Sequence, residues 1–212
     1  MKKLFTIILF LFITRDCLFA QTDPPAFESG ITSDSVYINQ FYKIEFSVPK
    51  GWIIDKKTQL EAIVRTGTDA LAGDNNYSKA ALETSLKRTG YLLMANKYLA
   101  GAPVALNPSL ILMSEDLSAS PGVLSGADYL YHVKQSIDLG QALESKEIKK
   151  IIINGKEFGV MDATAKKNAS IKQTYYSTII NRHSIVFIIT YGTDEQYADL
   201  KAAIDSFREI KN

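Results

Sequence analysis

The chain has 212 residues, of which 24 are basic and 23 acidic; 46% are hydrophobic and one is cysteine. A near-neutral balance with no long run of one sign lacks the basic footprint that nucleic-acid binding needs. One thiol excludes a disulfide framework and thiolate metal sites, and two histidines leave little for imidazole sites, so no cofactor and no metal are expected.

The first element is a leader. Lys2 and Lys3 give a positive start, Leu4 to Ile13 form an apolar run, and Ala20 precedes polar Gln21. That order is the secretory signal pattern, with cleavage expected after Ala20 although Leu18 is larger than the usual small residue three places before a cut. The run is about half the 20 residues a membrane-spanning helix needs, and Arg15 and Asp16 interrupt it. Removal is therefore expected, with no stable membrane span afterwards. Cys17 raises a lipoprotein alternative, but Thr14-Arg15-Asp16 is a poor context for lipidation. Removing residues 1–20 takes away Lys2, Lys3, Arg15, Asp16 and the only cysteine. The exported chain must then be held by a hydrophobic core, and its roughly 190 residues suffice for one domain.

Residues 21–33, with Pro24-Pro25, read as an extended leader to a single domain over 34–212. Val36-Tyr37-Ile38 reads as a short strand, and Tyr42, Ile44, Phe46 and Val48 alternate with polar residues as a strand with one buried face. Val48-Pro49-Lys50-Gly51 fits a turn with Pro at its second position, and Trp52 follows as a plug for one edge of the core. Thr58-Gln59-Leu60-Glu61 matches a capping box opening a helix with Leu60, Ile63, Val64 and Leu71 on one face. Gly73-Asp74-Asn75-Asn76 breaks it, and a second short helix is expected from Ser78 to Arg88. Tyr91–Met94 and Leu110–Met113 are apolar runs of strand length flanked by Gly and Pro. Ser125 opens a third helix with Leu130, Val133 and Ile137 inward and Gly140 as its stop.

In the last third, Ile148 to Ile153 and Lys156 to Ala165 flank Asn154-Gly155, a strong hairpin signal because both residues tolerate positive φ. Ile171 to Ile180 and Ser184 to Tyr191 flank a turn at Asn181-Arg182-His183. Thr193-Asp194-Glu195-Gln196 is another capping box, opening a helix with Tyr197, Leu200, Ile204 and Phe207 on one face. The fold class expected is α+β: a mostly antiparallel sheet flanked by helices.

The segment Phe41-Tyr42-Lys43-Ile44-Glu45-Phe46-Ser47-Val48-Pro49-Lys50-Gly51-Trp52 resembles the opening strand and Pro-x-Gly-Trp turn of the PsbP-like superfamily. The Asn-Gly hairpin, long antiparallel strands and closing helix with Asp205-Ser206-Phe207 are similar to that family too, over roughly residues 34–210. The resemblance implies an α/β/α sandwich, shared with small bacterial envelope proteins such as DcrB, and an accessory or assembly role. The longer helical section near 58–90 departs from the family, so no ligand residue is carried over.

Candidate chemistry is sparse. No G-x-S-x-G elbow accompanies the serines. His132, with Asp128 one turn before and Gln135 nearly one turn after, reads either as an oriented base or as a solvated helix face. His183 beside Arg182 is expected to be exposed in a turn. Glu115-Asp116 and Asp194-Glu195 are carboxylate pairs open to cation or acid–base roles, the second already explained as a cap. Gly101, Gly122 and Gly126 are too scattered for a phosphate loop. Tyr175-Tyr176, Tyr191, Tyr197, Tyr129 and Tyr131 suggest an aromatic binding face, with one of Tyr175 and Tyr176 turned away from the core. No catalytic residue and no ligand-binding residue is therefore assigned. The function expected is a non-enzymatic, exported binding or accessory protein, secreted or periplasmic, whose partner is another envelope protein or a small ligand. A small-ligand carrier with a pocket between sheet and helices is the alternative, and a hydrolase with an unrecognised nucleophile the third reading.

Overall fold

Strand-length apolar and β-branched runs separated by turn residues dictate antiparallel ladders here, and the computed structural model, which describes residues 30–33, 35–55, 88–139 and 142–211, builds them. In chain order the elements are β1 (Ile31–Ser33), β2 (Val36–Asn39), β3 (Ile44–Ser47), β4 (Ile53–Ile54), β5 (Thr89–Asn96) and β6 (Ser109–Asp116). Then follow helix α1 (Gly126–Leu139), β7 (Leu143–Ser145), β8 (Lys149–Ile153), β9 (Lys156–Ala165), β10 (Lys172–Ile180), β11 (His183–Tyr191), helix α2 (Asp194–Asp205) and β12 (Arg208–Glu209). The leader, Cys17, both expected helices between Thr58 and Arg88, and the Gly140 stop lie outside the described residues, apart from Arg88 itself.

Eight strands form the large sheet in the order β4-β5-β6-β11-β10-β9-β7, with β8 also paired to β9, and four form a small sheet in the order β1-β2-β3-β12. All pairs are antiparallel. The expected α+β class is thus observed, with one addition. The second face of the large sheet is covered jointly by α2 and the small sheet. Ile31–Ser33, read as the end of the leader, pairs with β2, and the C-terminal β12 pairs with β3.

Each face of the large sheet has its own core. Alternate residues of β6 and β11 divide between them: Leu110, Leu112, Ile185, Phe187 and Ile189 join Phe46, Leu200, Ile204 and Phe207 on the α2 side. Ile111, Met113, Val186 and Ile188 join Tyr129, Leu130, Val133 and Ile137 under α1. Burial on both faces explains why the central strands read as continuous apolar runs.

Turn chemistry fixes the registers. Asn154 and Gly155 have φ of 47° and 86°, and Asn181 and Arg182 have 50° and 62°. Both are two-residue loops with positive φ at each central residue, the pattern that matches strand twist. Asn154 does more than turn the chain: its amide donates to the carbonyls of Asp205 and Phe207 at 2.9 and 2.8 Å, tying the β8–β9 hairpin to the end of α2. At Pro49-Lys50-Gly51-Trp52 the Trp52 amide donates to the Pro49 carbonyl at 3.2 Å, with Gly51 at φ 80°. The turn therefore begins one residue later than expected, because its third position requires a glycine. Trp52 is partly buried against the α2-side core, as its position suggested.

The start of α1 lies against bare backbone. A Cβ on Gly126 would fall 1.7 Å from the Ser177 carbonyl oxygen, and one on Gly159 would fall 2.6 Å from the Ala127 nitrogen. We expect Gly159→Ala to cost about 3 kcal/mol, at the upper end of overpacking penalties, because neither backbone can yield without displacing α1. Gly122→Ala, which meets nothing within 4 Å, is expected to stay within about 0.5 kcal/mol of the parent. Urea denaturation of the two variants checks the pair; equal midpoints would show that the helix does not need this approach.

Candidate functional site

At one end of the large sheet, β6 finishes with two carboxylates. Successive strand residues face opposite sides, so Glu115 and Asp116 do not form the pair that their adjacency suggested. Asp116 accepts hydrogen bonds from the Ser118 amide and hydroxyl at 2.8 and 2.9 Å and closes a turn. Glu115 follows Met113 onto the α1 side, where it is buried. Its register partners are Ser184 on β11 and Thr89 on β5. Tyr129 of α1 lies over it and donates its hydroxyl proton to Glu115 Oε2 at 2.9 Å. Burial pushes the Glu115 carboxyl up to about 7, against the opposing effects of the Tyr129 hydrogen bond and the Arg88 charge. Fully buried Ser184 Oγ has no hydrogen-bond partner among the described residues. The apolar run stops at Met113 in the sequence, and only the assembled sheet extends the buried stretch to Glu115.

The two histidines lie on different elements, His132 on α1 and His183 at the start of β11. His183 is the first residue of β11, half-buried, with the rings of Phe41 and Tyr42 at centroid distances of 5.9 and 5.4 Å. Exposure in a turn was expected; the two-residue Asn181-Arg182 loop instead pulls His183 into the ladder opposite Ile180. Its Nδ1 lies 2.9 Å from the Asn181 carbonyl. Phe41 and Tyr42 are held above it by Asn39, whose side-chain oxygen accepts both their amides at 3.1 and 3.0 Å. On α1, Asp128 accepts the amides of Leu124 and Ser125, while the Ser125 hydroxyl accepts the Asp128 amide. That reciprocal cap holds the Asp128 carboxyl below its usual range, first through Ser125, and commits it to the helix start instead of His132. Gln135 and Tyr131 lie on the same outer part of α1, with Tyr131 exposed.

Asp194 and Glu195 occupy the first turn of α2 behind a complete capping box, in which Thr193 and Gln196 exchange hydrogen bonds as expected. The tyrosines are corrected. Tyr175, Tyr176 and Tyr191 are all buried, because both faces of β10 and β11 are covered and neither strand residue can turn outward. Tyr175 donates to Gln173 at 2.6 Å under α1, and Tyr176 meets Tyr197 at 3.3 Å on the α2 side. These rings build the core, not a binding face. Among the described residues no group of three His, Cys, Asp or Glu side chains converges as a metal site, and no helix is long and apolar enough to cross a membrane.

Among the described residues, one exposed apolar segment lies at the other end of the sheet, where sequence reading passed over it. Residues 97–108 connect β5 to β6. From Tyr98 to Asn107 the sequence is Tyr-Leu-Ala-Gly-Ala-Pro-Val-Ala-Leu-Asn, without a charge. Leu99 is 69% exposed, Tyr98 39% and Val104 37%. The loop is nonetheless well built. Asn107 clamps Tyr98 from both sides, accepting its amide at 3.0 Å and donating to its carbonyl at 2.7 Å. The Lys97 amide donates to Pro108, Ala102 to Leu99 and Val104 to Ala102. Gly101, at φ 84°, supplies the third position of the tip turn. Leu106 packs beside Gly192, where a Cβ would lie 3.2 Å from Leu106 and 3.4 Å from the Ser170 carbonyl. Lys97 pairs with Asp199 of α2 at 3.6 Å. The loop is thus anchored while its tip projects.

No protein-family model matches the chain, and no curated protein matches it by sequence. Among solved structures it is similar to a cyanobacterial PsbP, CyanoP from Synechocystis sp., at 14% identity and a TM-score of 0.49, covering 88% of this chain and 99% of that one. It is also similar to the Ran-binding protein Mog1p of Saccharomyces cerevisiae, at 10% identity and a TM-score of 0.43, covering 83% of this chain and 95% of that one. At these identities the likeness is one of fold alone.

The buried acid generates a pH dependence. A carboxyl at about 7 in the fold and 4.5 ordinarily holds a proton in the native state that the unfolded chain releases between those values. Its contribution to stability is therefore complete below about pH 4.5 and is lost as pH rises through 7. Glu115→Gln removes the titration. Relative to the parent, this variant should gain on the order of 3 kcal/mol between pH 4.5 and 8. Chemical denaturation of both proteins across that range measures the difference, and a constant gap would rule out titration of Glu115.

Proposed function

We propose that this chain is an exported, non-enzymatic accessory protein of the bacterial cell envelope or secretome, and that it works by binding. Support for export comes from the order of Lys2-Lys3, the apolar run to Ile13 and Ala20. The observation that carries the binding reading is the β5–β6 loop, where three large apolar side chains, Tyr98, Leu99 and Val104, are exposed on one uncharged segment. Loops held on a rigid scaffold are the usual place for a binding function. Engagements of several candidate groups support the same reading: Asp128 caps a helix, Asp194 and Glu195 sit in the first turn of another, Asp116 closes a turn, and Glu115 is covered by Tyr129.

Expression in a bacterial host with cell fractionation tests the address. The processed protein should be recovered outside the cytoplasm with a mass corresponding to a start at Gln21. Recovery of the unprocessed chain in the cytoplasm would overturn the exported part of the reading. Steady hydrolysis of ester or peptide substrates, abolished by a single serine substitution, would overturn the non-enzymatic part.

A further inference from the structure

We infer that β8 is an open sheet edge on which a second copy of this chain docks, β8 against β8 about a two-fold axis, joining two large sheets into one. Edge strands present a row of backbone donors and acceptors, and native folds keep them short, bent or covered. Here β1, β4, β7 and β12 have two or three residues each, whereas β8 has five. A bulge separates β7 from β8, since four steps from Ser145 to Lys149 oppose three from Ala163 to Val160. Beyond it, β8 pairs with β9 without a register shift as far as the Asn154-Gly155 turn. Among the described residues no strand lies outside it.

The turn decides which groups point outward. The closing pair of a two-residue hairpin, here Ile153 and Lys156, exchanges hydrogen bonds, so Ile151 and Lys149 also turn their main chain to β9. Lys150 and Ile152 take the alternate positions, where amide and carbonyl point away from β9. The Glu157 carbonyl, opposite Ile152, agrees with this phase: it accepts the Thr178 hydroxyl at 2.8 Å on its β10 side. These outward groups are complementary to themselves. Paired antiparallel about Ile151, Lys150 of each copy meets Ile152 of the other, and four main-chain hydrogen bonds form.

Charge does not oppose this pairing. A lysine on an edge commonly blocks a second strand, but Lys150 is drawn back over the sheet by Glu157 at 3.0 Å. The two Lys149 side chains stand about 14 Å apart in this register, beyond the screening length. Lys146 and Glu147, of opposite sign, fall beside the turn of the other copy. Exposed apolar groups also line the edge, with Ile152 at 65% and Tyr131 at 56% exposure. Ile151 and Ile153 belong to the α2-side core, so Ile152 points to the α1 side. There Lys134 and Asp138 both bond Ser145 of β7, and Ala127 lies on Gly159, the register partner of Lys150. Tyr131 shares that stripe of α1 and stands over the edge, where it covers an added strand.

Sedimentation equilibrium of the purified protein between about 5 and 500 µM tests this, with a monomer–dimer dissociation constant expected on the order of 10 µM. Ile152→Pro removes an outward amide that the β9 ladder does not use, and Ile152→Lys sets a second ammonium against Lys150. Each should weaken the dimer about tenfold or more, while Leu99→Asp in the β5–β6 loop should dimerise as the parent does. Thermal melting by circular dichroism separates this from unfolding, and Ile152→Lys decides if Ile152→Pro melts early. Register is read by oxidation in a Cys17→Ser background, where an introduced thiol is the only one. Ile151→Cys should form a disulfide-linked dimer, because facing residues of a non-hydrogen-bonded pair lie about 4.5 Å apart between Cα atoms. Lys149→Cys should not. A monomer across the whole concentration range overturns the inference. So does a dimer that Ile152→Lys leaves intact, or one that Lys149→Cys links as readily as Ile151→Cys.

Discussion

Helix α1 meets the large sheet through main chain at its first turn, and the packing of the α1 face follows from that. With no side chain on Gly126 or Gly159, the helix start lies directly on β9 and β10. Reciprocal bonds between Ser125 and Asp128 fix where the helix begins, and with it which residues face the sheet. From that origin, 3.6 residues per turn bring Tyr129, Leu130, Val133 and Ile137 onto the sheet. Tyr129 is the residue closest to the origin, and its hydroxyl falls on Glu115. A Cβ at either glycine would lift the helix and separate Tyr129 from the acid it covers.

The other face is closed differently. A single helix leaves half of a wide sheet uncovered, and here α2 shares the work with the small sheet. The two are joined by Ser206, whose hydroxyl accepts the Ser47 amide and donates to Ala203, while Asn154 of the β8–β9 hairpin ties the end of α2 to the large sheet. Phe46, Phe158, Phe187 and Phe207 pack edge-to-face or tilted in the space between, with centroid distances from 5.0 to 6.5 Å. Covering both faces is also what removes Tyr175 and Tyr176 from any partner's reach.

Local chemistry was legible and long-range closure was not. Asn154-Gly155 and Thr193 to Gln196 announce their structures within four residues, because the turn and the cap are each satisfied by neighbours in sequence. The pairing of β12 with β3 joins Arg208 to Glu45, more than 160 residues away, and no periodicity encodes it. Two faces of burial also erase the alternation that would reveal which side a residue takes, so the direction of Glu115 and of the tyrosines needed the assembled sheet. His183 was misplaced for a smaller reason. Arg182 accepts positive φ at 62°, a conformation that sequence preference does not assign to arginine, and this shortens the turn by one residue.

The β5–β6 hairpin separates two kinds of requirement. Within the sheet each residue is constrained by neighbours on both sides, and at the Glu115 end even a carboxyl is enclosed by hydroxyls and helix. At the loop end, the conformation depends on a few positions: Gly101 for its positive φ, Asn107 for the clamp on Tyr98, and Leu106 for its contact with Gly192. Leu99 and Val104 contribute to the turn only through backbone groups that any residue other than proline supplies at those sites. Serine, asparagine or lysine there would keep every one of those bonds and improve solubility. Of the loop's large apolar side chains, Leu99 at 69% exposure is the one that the fold leaves most open to solvent.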